Sequence, residues 1–217
     1  VRAYAHGRQI ADSHRALLVW EPRRVVPMYA VPLADLSAEL VTPATAEDLP
    51  SRLPPVLGPH VFRRHTTPGQ AWSVRAGEEV VEQAAFRPSD PDLADHVVLD
   101  FAAFEWKEEE DAVIGHPHDP FKRIDIRDSS RHVVVELDGV VLAESSAPRM
   151  LAETHLPVRW YLPPSDVHLG LLERSDHRTT CAYKGHASHY SYPAAGRLGR
   201  DLAWTYERPL HEAEAVR

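Results

Sequence analysis

The residues with the greatest chemical capacity stand close together late in the chain, in Ser175 to Tyr190, SDHRTTCAYKGHASHY. This stretch holds the sole cysteine, Cys181, with Lys184 and Gly185 shortly after it. An ammonium beside a thiol favours the thiolate, the nucleophilic form, so the pair suits nucleophilic chemistry. On an ideal strand, positions i and i+3 face opposite ways, and only a bulge or turn at Tyr183-Lys184-Gly185 brings the two together. Lys184-Gly185 also reads as an anion seat. Glycine lets a backbone N–H approach a phosphate or carboxylate, and the lysine supplies charge. Thr179 and Thr180 would add hydroxyl donors. The plainer alternatives are a buried cysteine acting as a small apolar residue and a glycine required by a tight turn.

Glu153 and Tyr161 extend the candidate site, Glu153 as a proton acceptor. Glu21 holds the matching place early in the chain, where cysteine and lysine are both missing. That retention favours a structural carboxylate, paired with an arginine (Arg159 or Arg149 for Glu153) or with backbone N–H groups. Trp160, Tyr190, Trp204 and Tyr206 read as core and rim aromatics rather than platforms for stacking bases. Fourteen histidines raise the question of a metal, and the tightest groups are His116-Pro117-His118-Asp119 and His186-x-x-His189. A rigid proline separates the first pair, and strand alternation separates the second. Neither forms a closed ligand set, so neither a metal site nor a cofactor is expected.

The composition sets the frame for this site. A chain of 217 residues makes one large domain or two small ones. Lys+Arg number 24 against 32 Asp+Glu, a formal charge of −8 that disfavours long-range attraction to nucleic acid. No apolar run reaches the roughly 20 residues of a membrane span, and no signal-peptide pattern opens the sequence. The sequence starts at Val1 rather than Met, so a few leading residues are expected ahead of it. One cysteine excludes an internal disulfide and fits a reducing cytoplasm. Nineteen prolines argue for short elements and many turns.

The elements that must position the site are written twice. His6-Gly7-Arg8-Gln9-Ile10-Ala11-Asp12-Ser13 matches Asp138-Gly139-Val140-Val141-Leu142-Ala143-Glu144-Ser145, and Glu21 then matches Glu153 at the same offset (139 − 7 = 132). After a one-residue slip, Tyr29-Ala30-Val31-Pro32 faces Trp160-Tyr161-Leu162-Pro163 (163 − 32 = 131). Gly69-Gln70-Ala71 later faces Gly185-His186-Ala187 (185 − 69 = 116). Each copy reads as β. Asp138-Gly139 is a hairpin signal between Arg131–Leu137 and Val140–Ser145, and Met150–Glu153, Val158–Leu162, Tyr183–Tyr192 and Leu202–Glu207 are further strands. One short helix is expected in Leu33–Leu40, its counterpart in Pro164–Leu172 with Ser165 as N-cap, and a longer acidic one in Ala102–Asp111. The domains are then 1–114, a degenerate first copy, and 131–217, with a turn-rich linker over 115–130. The fold class is mainly β: two similar compact antiparallel β-domains in tandem, with a few short helices.

Several residues carry a resemblance. Glu153 ahead of Tyr161-x-Pro163, then Thr180-Cys181-x-x-Lys184-Gly185-x-Ala187, then Ala203-Trp204-x-Tyr206-x-x-Pro209, resembles the domain of unknown function 427 family, labelled nucleotidyltransferase-like. The stretch His116-Pro117-x-Asp119-Pro120-Phe121-x-Arg123-Ile124-Asp125 is similar to the joint of tandem bacterial members. The resemblance implies a compact antiparallel β-domain in two copies, cytoplasmic, with no obligatory metal and no established reaction. Ala182 departs from the Pro or Glu usual in the family, and the first copy has His65 near the cysteine's place and Pro68 in the lysine's.

Two functions fit. The first is a domain, binding or transferase-like, for a small anionic molecule such as a nucleotide or activated carboxylate. Its pocket would lie in the second copy, with Cys181, Lys184 and Glu153 as the reactive groups and Tyr161, Thr180, Gly185 and Trp204 as ligand contacts. The second is a non-catalytic β-module for a protein partner or homo-oligomer. Neither reading calls for nucleic acid or a membrane.

Overall fold

The computed structural model describes residues 1–44 and 54–217. The chain is mainly β and divides into two compact units, Val1–Asp119 and Pro120–Arg217. Among the described residues no helix is long and apolar enough to cross a membrane.

In the first unit β1 (Arg2–Ala5) and β2 (Arg8–Asp12) form a hairpin around His6 and Gly7, whose φ angles of 50° and 76° make the left-handed turn. β3 (Leu17–Val19), β4 (Met28–Pro32) and β5 (Glu39–Val41) follow, then β6 (Gly69–Ala76), β7 (Glu79–Pro88) and β8 (His96–Leu99). These six make one antiparallel sheet in the order β3-β4-β8-β7-β6-β5. β9 (Glu105–Glu108) and β10 (Asp111–Val113) add to the first hairpin, giving β10-β9-β1-β2. Ala3, Ile10, Tyr29, Val31, Val74, Val97, Leu99, Phe104 and Trp106 fill the core between them.

Two expected helices are absent here. Leu33–Leu40 is a single 3₁₀ turn, Leu33–Asp35, followed by β5. Ala102–Asp111 is a 3₁₀ turn and the β9–β10 hairpin. Its Glu and Lys residues are good helix formers, but Phe104 and Trp106 are buried while Glu105 between them is exposed, a period of two. Burial of two aromatics overrides propensity. Glu109, at φ 50°, and Glu110 make the turn, so the acidic run lies in solvent after all.

In the second unit β11 (Ile124–Asp128) lies within the expected linker and pairs with β14 (Arg149–Glu153), which also pairs with β15 (Arg159–Tyr161). β12 (Val133–Leu137) and β13 (Val140–Ser145) make a hairpin around Asp138 and Gly139, with φ angles of 51° and 77°. β16 (Glu173–Cys181), β17 (Gly185–Ser191) and β18 (Ala203–Thr205) form a third sheet. Pro164–Asp166 and Leu169–Leu171 are 3₁₀ turns. Ser165 does not cap the first, because its hydroxyl bonds the Asp166 carboxylate instead.

The units share local geometry. The β1–β2 register slips between Ala3 and Tyr4, and the β12–β13 register slips between Val135 and Glu136. Leu17 pairs with Ala30 as Arg149 pairs with Tyr161. Ala11 bridges Leu36 as Ala143 bridges Val167. One difference is large. β1 has a partner on each side, β2 and β9, whereas β12 has only β13 among the described residues.

Candidate functional site

The hairpin between β16 and β17 closes at the pair Cys181 and Gly185, leaving Ala182, Tyr183 and Lys184 as the turn. A turn therefore stands where the strand expected over Tyr183–Tyr192 would have begun, and β17 starts only at Gly185. The turn brings the Lys184 ammonium near enough to Cys181 for the thiol to help raise its pKa. Gly185 has a φ of 100°, and a Cβ there would come within 3.3 Å of the Arg208 carbonyl. The glycine therefore serves both the turn and the close passage of the chain's own 208–210 segment, where Leu210 N–H donates to the Lys184 carbonyl (3.2 Å).

Glu153 ends β14 beside this turn. Lys184 Nζ donates to Glu153 Oε2 at 2.6 Å, and Lys122 Nζ lies 3.3 Å from Oε1. Both side chains of the Glu153–Lys184 pair are more than nine-tenths buried. Burial alone would lower the Lys184 pKa, but the hydrogen bond to Glu153 and the neighbouring Cys181 outweigh it and raise the group above its ordinary value. Lys184 is a fixed cation rather than a free amine. The arginines considered as partners of Glu153 go elsewhere: Arg149 bonds Asp128 (3.1 Å) and the Ala215 carbonyl, and Arg159 stands at a cavity. Lys122, which the sequence reading missed, sits two residues before Ile124, and Ile124 is paired with Glu153. Only that long-range register could have pointed to it.

Tyr161 joins the charged group to an apolar one. Its hydroxyl accepts from Trp204 Nε1 (3.2 Å), and its ring lies 6.4 Å from that of Tyr206. Burial pushes the Tyr161 phenol upward, against the pull of the Trp204 N–H and the Lys184 charge, so it remains a neutral donor and acceptor. Tyr161 and Trp204 are walls of a cavity of about 340 Å³ that Val135, Leu142, Trp160 and Leu172 also line, with Arg159 among its charged residues. Glu153, Cys181 and Lys184 do not line it. The expected single pocket is thus two adjoining features, a charged cluster and an apolar cavity, which meet at Tyr161.

Thr180 belongs to neither. Strand alternation turns it away from Cys181, and its hydroxyl bonds His186 Nδ1 (2.9 Å) on the exposed face. His189 Nε2 bonds Thr179 Oγ1 (2.9 Å). Among the described residues no group of three or more His, Cys, Asp or Glu is placed to hold a metal ion.

The matching carboxylate of the first unit has different neighbours. Glu21 accepts from Arg24 Nε (2.8 Å), the Thr66 and Thr67 N–H groups (3.0 and 3.3 Å) and Thr67 Oγ1 (2.8 Å), and His65 Nδ1 lies 3.0 Å away. Burial would raise its pKa, but the bonds from His65 and Arg24 bring it down to about 2. His65 is held in place by stacking on Phe86, with ring centroids 3.5 Å apart.

Residues 125–217 match the model of a family described as a domain of unknown function (DUF427). The match lies wholly within the second unit. No curated protein matches the chain.

Proposed function

We propose that the second unit is a ligand-binding module whose cavity takes the apolar body of a small anionic molecule, with the anion at Arg159. The observation that carries this reading is the open cavity itself. Its volume falls in the range of about 300–1,000 Å³ common to ligand sites, and its walls are apolar apart from a few convergent polar groups. Those groups are the Tyr161 hydroxyl, the Trp204 N–H and Arg159, which has no carboxylate partner among the described residues. Glu153 and Lys184 are positioning residues in this reading. They pin the turn behind Tyr161 and so fix one wall.

The two units are, on the same reading, copies of one scaffold. Matching hairpin angles, slips and bridges at constant sequence offsets support this. The first copy then supplies an internal control, because its counterparts to the cavity walls are solid core. Ala3, Ile10, Tyr29 and Val31 stand where Val135, Leu142, Trp160 and Leu162 stand in the second copy.

Differential scanning fluorimetry with aromatic carboxylates, nucleotides, acyl phosphates and the amides of the same carboxylates tests the reading. At least one anion should stabilise the wild type more than its neutral counterpart, and Arg159→Ala should erase that difference. Stabilisation by none of them would overturn it.

The turn that carries Lys184 next to Cys181 supports a second reading, in which the module is transferase-like. In it Cys181 attacks the acyl carbon of an activated carboxylate. The S–C bond would form as the C–O bond to phosphate breaks, with the thiol proton leaving to solvent and Lys184 facing the departing anion. Incubation with acetyl phosphate followed by peptide mass spectrometry should find acetyl on Cys181 of the wild type, and far less in Lys184→Met. An unmodified thiol would remove this reading.

A further inference from the structure

The open cavity lies beside an open strand edge, and the first unit shows what closes both. There β9 pairs with the free side of β1 in the register Arg2–Lys107, Ala3–Trp106 and Tyr4–Glu105. This pairing carries Trp106 into the core, where it is 3% exposed and lies 4.8 Å from the Tyr29 ring. Two residues further along the same face, Glu108 accepts the Tyr29 hydroxyl. In the second unit the place of Ala3 is taken by Val135, which lines the cavity, and that of Tyr29 by Trp160, which lines it too. Nothing described takes the place of β9. Val134, Val135 and Trp160 are 46%, 40% and 37% exposed.

We propose that the edge of β12 accepts an extended peptide strand, antiparallel, with an aromatic side chain opposite Val135 filling the cavity and an acidic side chain two residues later meeting Trp160 and Arg159. This rests on the ligand-binding reading above and names its ligand class. An unpaired edge offers backbone N–H and C=O groups in strand register, which supply affinity whatever the side chains are. The adjoining cavity supplies selection, since it is sized for one large side chain and its neighbours are a tyrosine hydroxyl and an indole N–H. Charge agrees with the pattern aromatic-x-acid: the Arg159 and Arg217 residues line the cavity, and no Asp or Glu does among the described residues. The residue before the aromatic falls opposite Glu136, so a basic residue is favoured there.

The probe is a fluorescent peptide of residues 104–113 carrying Glu105→Lys, titrated into the full chain and read by anisotropy. The controls alter only the ligand: the same peptide with Trp106→Ala, its two forms N-methylated on one or the other set of alternate backbone nitrogens, and free indole-3-acetate. The proposal expects saturable binding that weakens about tenfold or more on loss of the indole and is abolished by one of the two N-methylation patterns. On the protein side, Val135→Asp should abolish binding, with circular dichroism confirming the fold. If indole-3-acetate binds while the peptide does not, or both N-methylated forms bind like the parent, strand docking is overturned and the cavity reading stands. If neither indole-3-acetate nor the peptide binds, both are overturned.

Discussion

Glu21 and Glu153 stand at matching offsets in the sequence, Glu21 just past β3 and Glu153 at the end of β14, with side chains 8% and 6% exposed. Glu21 is saturated by fixed partners: a guanidinium, two backbone N–H groups, a hydroxyl and an imidazole. Arg24 on its other nitrogens holds the carbonyls of Val61, Phe62 and Arg64, so the whole assembly staples a loop to the sheet. Glu153 is held by two lysines, one of which lies in the turn that follows Cys181. In the first unit Phe104 and Trp106 fill the core with Tyr29, away from the partners of Glu21, and the second unit holds a cavity that Glu153 does not line. Glu21 is thus part of a staple in the first unit and Glu153 part of a lysine cluster in the second, and β1 has a strand on each side where β12 has only β13 among the described residues.

The sharpest way to break the contrast is Arg24→Ala. It leaves a buried carboxylate without its main counter-charge and frees three carbonyls, and should cost about 3–5 kcal/mol in the first unit, seen by denaturant titration. Amide exchange in residues 120–217 should change little. Acid provides the next largest effect. The folded pKa of Glu21 is about 2 against an ordinary 4.5, so its contribution is complete above the unfolded value and is lost as pH falls through the folded one. Wild type should lose about 3 kcal/mol more than Glu21→Gln between about pH 5 and 2. Equal slopes for the two would show that Glu21 is not held as described.

Glu153→Gln should cost about 2 kcal/mol, because the amide oxygen still accepts from Lys184 while the charge pairing is gone. Lys184→Met added to it should recover part of that loss, measured as a double-mutant cycle. Thr180→Ala closes the series. Its hydroxyl serves only an exposed histidine, so it should change stability by less than about 0.5 kcal/mol and leave any ligand response intact. A large effect would put Thr180 back at the site.

These contrasts were legible in the sequence to different depths. The Gly7 and Gly139 turns are local signals, and both hairpins form where they predict. The Cys181-to-Gly185 bend was legible only as a condition for thiol and amine to meet, because Tyr183 and Lys184 also suit the strand expected over Tyr183–Tyr192, which begins at Gly185. The β9–β10 hairpin was not. Glu105 to Asp111 has helical propensity, and only burial of Phe104 and Trp106 against another strand reverses it. Lys122 and the cavity were equally hidden, since one follows from β11–β14 register and the other lies beside β12, which pairs only with β13 among the described residues. Spacing along a chain reports turns well and reports the neighbours of a sheet edge poorly.

The chain contains five tryptophans, and three of them separate the closed core from the open one. Trp106 is sealed in the first unit, while Trp160 and Trp204 line the cavity of the second. Fluorine NMR of 5-fluorotryptophan protein, with each resonance assigned by substitution to phenylalanine, can follow all three during titration with indole-3-acetate. Saturable shifts at Trp160 and Trp204 with a stationary Trp106 are the predicted result. Stationary signals at Trp160 and Trp204, or movement led by Trp106, would contradict it.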